Sequence, residues 1–81
     1  MKVTISFYSY FKDLTGTEQL TETLPEGATL DQLFARLAGR FPKLEGMKKS
    51  TLMAVGLDYE QRDYVLREGD DVSLFPPVQG G

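Results

Sequence analysis

The sequence predicts an α+β domain in which one main helix packs across one face of a mixed β-sheet. Three observations carry this prediction. Apolar residues alternate at Val3, Ile5 and Phe7 near the start of the chain, and at Val72 and Leu74 near its end. That spacing of two lines one face of a strand. Between them, "TLDQLFARLAGRF" repeats Leu30, Leu33, Phe34, Leu37 and Phe41 at three- and four-residue steps, the apolar stripe of an amphipathic helix. Turn signals, "LPEG" and "REGD", punctuate the runs.

Each element follows in order. "KVTISFY" is a half-buried strand with Thr4, Ser6 and Tyr8 on the face opposite Val3, Ile5 and Phe7. "SYFKDLTGT" forms a short helical turn closed by Gly16. "EQLTETL" alternates again, with Leu20, Glu22 and Leu24 on one side. Glu22 on that row either argues against its facing inward or marks an edge strand, where a charge is tolerated. In "LPEG", Pro25 fixes φ and Gly27 is free to take a positive one. The helix opens on a T-x-x-Q capping box, Thr29 and Gln32, in which each side chain satisfies a first-turn N–H. Pro42 stops it, because its ring clashes with a continuing turn. Gly39 inside the helix costs ~1 kcal/mol relative to alanine, and the sequence offers no reason for it.

"PKLEGMKKS" is a loop, and "TLMAV", residues 51–55, suits a central strand. "GLDYEQRDYVL" holds a turn and a short return strand, and "DVSLF" is the last strand, with Ser73 and Phe75 facing away from Val72 and Leu74. The order β-β-α-β-(β)-β suits a ubiquitin-like β-grasp. A ferredoxin-like fold would need a second full helix, which the Gly-, Lys- and Pro-rich stretch 42–50 is unsuited to supply.

Eighty-one residues make one domain with a modest core, residues 1–75, followed by an extended tail, residues 76–81. A net charge of −3 and a pI near 4.8 argue against a nucleic-acid partner, which selects for a basic face. The alternating N-terminus resembles neither a signal peptide nor a membrane span, so the expected location is the cytoplasm. The absences are more informative. Without cysteine there is no thiolate nucleophile and no disulfide, and without histidine the usual proton shuttle and metal ligand are missing. The carboxylates are dispersed, and Asp70-Asp71 reads as a turn before a strand. No metal site and no bound cofactor are expected, and catalysis by the chain's own side chains is disfavoured.

The tail offers another kind of chemistry. Pro76 and Pro77 lack the N–H of a ladder residue, so the sheet must end near Phe75. Two prolines hold an extended direction, and the reach from Pro76 to Gly81 is at most on the order of 20 Å. Gly80 and Gly81 have no Cβ, so this thin arm fits a narrow channel and brings up an unhindered carboxylate. A carboxylate becomes an acyl donor once activated, for example as an adenylate, and a sulfur donor then converts it to a thiocarboxylate. With no cysteine present, Gly81 is the position at which this chain could covalently carry sulfur. Glycine makes up about a tenth of the chain, so the terminal pair alone says little. The preceding strand and double proline give it weight.

"LREGDDVSLFPPVQGG", Leu66 to Gly81, resembles the C-terminus of the MoaD family, the small, sulfur-carrying subunits of molybdopterin synthase. "FKDLTGT" and "LPEGATLDQLFARLAGRFP" are similar to the same family, so the resemblance covers nearly the whole chain. It implies a β-grasp whose Gly81 is activated by an ATP- and magnesium-using adenylating enzyme and loaded by a sulfurtransferase. It further implies that the tail, threaded through Gly80, enters the large synthase subunit in a heterotetramer and gives sulfur to cyclic pyranopterin monophosphate. Gly56 stands where that family usually has asparagine, a departure that bears on the paralogue and on a partner contact.

If the inner rows pack on the helix, Tyr8 and Phe75 share the opposite face beside Pro76, Pro77 and Val78, a candidate docking patch. The alternative is an aromatic half-covered by the 9–17 loop. For function, three other readings stand beside molybdopterin synthesis. One is sulfur carriage to thiamine thiazole, a cysteine precursor or a tRNA base. Another is protein modification through Gly81, and the last is a non-covalent interaction module.

Overall fold

The computed structural model describes residues 1–77. The strands are β1 (Lys2–Phe7), β2 (Gln19–Thr23), β3 (Leu52–Val55), β4 (Asp58–Tyr59) and β5 (Asp71–Phe75). The helices are α1 (Phe11–Thr15) and α2 (Leu30–Arg40), and two 3-10 turns, Pro42–Leu44 and Lys48–Ser50, bridge α2 to β3. One five-stranded sheet runs β2-β1-β5-β3-β4. The central pair, β1 and β5, is parallel, and the other pairings are antiparallel. This is the β-grasp order predicted above, with α2 crossing one face.

Register explains the two faces. Ile5 lies opposite Val72 and Phe7 opposite Leu74, so the inner rows of β1 and β5 coincide beneath α2. Val3, Ile5, Phe7, Leu30, Leu33, Leu37, Val72 and Leu74 are essentially sealed from solvent. Each contributes about 1.5–3 kcal/mol of hydrophobic burial. Phe41 meets Phe7 edge-on at a centroid distance of 6.2 Å. The capping box forms as predicted: Gln32 N–H donates to Thr29 Oγ1 at 3.2 Å, and Thr29 N–H donates to Gln32 Oε1 at 2.9 Å.

Glu22 does face the helix side. It is nearly buried on β2, an edge strand, and its Oε2 accepts from Arg40 Nη1 at 2.9 Å. The charge is tolerated because the last turn of α2 supplies a counter-ion. The 42–50 stretch is more than a connection, since its Leu44 is fully buried in the core. Phe11 of α1 is likewise fully buried. Among the described residues, no helix is long and apolar enough to cross a membrane.

Candidate docking face and tail root

On the face away from α2, the outer rows of the strands meet. Leu52 pairs with Phe75, Ala54 with both Ser73 and Tyr59, and Ser6 with Ser73. This face brings two aromatic rings, Tyr8 and Tyr59, against Phe75. Tyr8 extends the parallel ladder by one rung, its N–H donating to Leu74 O at 3.1 Å. Its ring stacks on Phe75 at a centroid distance of 5.0 Å and an interplanar angle of 18°. Tyr59 meets the other side of Phe75 edge-on at 6.0 Å. Such pairs add about 0.5–1.5 kcal/mol beyond area burial and fix the rings before any partner arrives.

The cluster is apolar yet open: Tyr8 is 47% and Tyr59 65% exposed, while Phe75 is half-buried between them. Exposed aromatics held together on a rigid sheet have the composition of a protein-docking hot spot. The 9–17 segment leaves Tyr8 uncovered, its Phe11 turning into the core instead. Ser9 has a φ of 55°, unusual for a residue with a Cβ, and reverses the chain between Tyr8 and α1.

β5 ends at Phe75, so the tail leaves the body from within this cluster. Pro76 is half-buried against the body and Pro77 exposed. Of the predicted site residues, the structure thus brings Tyr8, Phe75, Pro76 and Pro77 together. Val78, Gly80 and Gly81 lie outside the described residues. Tyr59 escaped the sequence reading. Its signal was the two-residue loop Gly56-Leu57, which fixes the register of β4 and places Tyr59 opposite Ala54. Gly56 takes a φ of +62° at that loop, a conformation glycine adopts freely and asparagine tolerates.

Among the described residues, no group of three or more Asp or Glu side chains is placed to hold a metal ion. One titrating group is perturbed, away from this face. Burial pushes the Tyr64 hydroxyl above its ordinary 10.0, and the neighbouring Asp70 carboxylate, accepting its hydrogen bond at 3.3 Å, pushes it the same way.

Known proteins share this fold. The molybdopterin synthase sulfur carrier subunit of Escherichia coli is 31% identical over 83 residues, covering 98% of this chain and 99% of that protein. A solved Pyrococcus furiosus protein, assigned as molybdopterin converting factor, subunit 1, superimposes with a TM-score of 0.89 at 29% identity, covering 96% of this chain and 99% of that one. A chain from the complex of subunits 1 and 2 of the Helicobacter pylori molybdopterin-converting factor shares the fold, with a TM-score of 0.69, 22% identity and full coverage of both chains. The model of the ThiS family matches residues 5–81, from the first strand through the terminal glycines, and the chain belongs to that family.

Proposed function

We propose that this protein is the sulfur carrier of a molybdopterin synthase, with Gly81 as the carrying position. The observation that carries the reading is the coincidence of tail exit and docking face: β5 ends at Phe75, inside the Tyr8–Phe75–Tyr59 cluster, and the chain continues through Pro76-Pro77. A partner that grips the cluster receives the tail at a fixed origin and heading.

The chemistry follows from the carboxylate. An adenylating enzyme joins the Gly81 carboxylate to the α-phosphate of ATP, releasing pyrophosphate; ATP and magnesium belong to that enzyme. The outer sulfur of a sulfurtransferase persulfide then attacks the adenylate and AMP leaves; a second thiol cleaves the resulting acyl disulfide, so that a thiocarboxylate remains and the two thiols end as a disulfide. Delivered into a large synthase subunit, the thiocarboxylate sulfur displaces an oxygen of the pterin precursor, and water cleaves the resulting thioester, leaving the sulfur on the pterin and regenerating the carboxylate. The acid–base groups come from the large subunit, in keeping with a carrier that has neither histidine nor cysteine. The similar sulfur carrier subunits support this acceptor over a thiazole, a cysteine precursor or a tRNA base.

Intact and fragment mass measurement tests the proposal, after incubation with ATP, the adenylating enzyme and a sulfur donor. The expected result is replacement of oxygen by sulfur at Gly81, absent without ATP. Fragmentation separates this from oxidation of Met1, Met47 or Met53, which changes the mass almost equally. No gain with an active activating system overturns the carrier reading.

A further inference from the structure

Recognition on the open face extends past the aromatic cluster. β4 covers the outer edge of β3 only at Ala54 and Val55. Backbone groups along a strand alternate in direction. Gly56 N–H donates to Asp71 O on β5 at 2.9 Å, so Met53 and Val55 direct theirs the other way. Glu60 N–H reaches Met53 C=O at 3.1 Å, and there the covering chain departs. Among the described residues, Met53 N–H and Thr51 C=O have no backbone partner, while the 3-10 turn Lys48–Ser50 directs Thr51 N–H toward Lys48 C=O. A groove of about 650 Å³ follows this stretch, and it shares Leu52 and Tyr59 with the docking face.

We propose that this groove takes an extended segment of the same partner that receives the tail, added to the sheet as a strand along Thr51–Met53. The inference rests on the docking reading above and extends it from side-chain to main-chain recognition. Unpaired N–H and C=O groups on a sheet edge are a template for an incoming strand. The two sides of this sheet differ in that respect: the edge strand β2 carries the inward-pointing charge of Glu22, a known guard against strand addition, whereas the part of β3 that the short edge strand β4 leaves uncovered carries no charge. Position favours a shared partner. Leu52 pairs directly with Phe75, so a strand added outside β3 lies about 10 Å, two strand spacings, from the tail root. The segment is selected by shape and backbone, with an apolar side chain toward Leu52 and Tyr59. The remaining wall mixes Lys49 and Arg62 with Glu60 and Asp63 and so selects for no single charge.

The test uses the full chain with a molybdopterin synthase large subunit. In the complex, amide exchange at Met53 should slow by about tenfold or more. Gln61→Trp, whose indole fills the groove from an exposed position, should weaken binding by about tenfold, while Gln61→Ala binds as the parent does. Unchanged exchange at the Met53 amide overturns the proposal. Phe75→Ala separates it from the docking reading. If that variant binds poorly and the Met53 amide of the parent complex stays unprotected, the aromatic face stands and strand addition falls. A protected Met53 amide beside a normally binding Phe75→Ala variant supports the groove and removes the aromatic face.

Discussion

Arg40 Nη1 lies 2.9 Å from Glu22 Oε2, tying the last turn of the main helix to the inner row of the edge strand. The two partners are unequal, with the arginine side chain 52% exposed and the glutamate 11%. Arg40→Ala leaves a nearly buried carboxylate without its counter-ion. The expected loss is about 1–2 kcal/mol in chemical denaturation, below the figure for a fully buried pair because water still screens the arginine. Glu22→Leu has the opposite signature: the fold holds, but size-exclusion chromatography shifts toward self-association, since the β2 edge has lost its inward charge.

The aromatic cluster divides binding from folding. Phe75→Ala and Tyr59→Ala should each weaken capture by a large synthase subunit by about 1–2 kcal/mol, read by calorimetry, with Tm lowered by only a few degrees. An unfolded Phe75→Ala chain would instead assign that ring to the core.

Gly39 can be improved upon. It is exposed within α2, and a Cβ built there meets nothing within 4 Å. Gly39→Ala should raise stability by about 0.5–1 kcal/mol in a denaturant titration, through helix propensity alone. Gly56→Ala, at a φ of +62°, should lower it.

Alkaline stability should depend on Tyr64. A tyrosine whose folded pKa is raised keeps its full contribution below the unfolded value of 10.0 and loses it as pH rises through the folded value. Stability is therefore expected to fall above pH 10.0, and Tyr64→Phe, which cannot ionise, should remove that part of the fall. Thermal melts across pH 9–11 for the two chains check this.

Leu44 reports whether the connection after α2 belongs to the core. It is fully buried, and Leu44→Ala should cost about 2–4 kcal/mol, far more than a substitution in a surface loop.

These residues also mark what the sequence makes legible. Val3, Ile5, Phe7, Val72 and Leu74 declare their face because a strand's period is two, and α2 declares itself through its stripe, its capping box and Pro42. Leu44 and Phe11 gave no such signal, since a three-residue 3-10 turn and a five-residue helix are too short to display a period. Glu22 was ambiguous until Arg40, far along the chain, was placed beside it. In the candidate site, Tyr8 and Phe75 were readable from alternation. Tyr59 joins them only through the cross-strand register of β4 on β3 and of β3 on β5, a property of pairs of segments.

The parallel pairing of β1 with β5 has a consequence for timing during synthesis. Of the five described strands, β5 is the last to be made, and its neighbours are β1, the first of them, and β3. Until β5 slots between them, the core has no centre and the aromatic cluster no Phe75. A chain that lacks β5, or fails to insert it, therefore has no assembled aromatic face to offer.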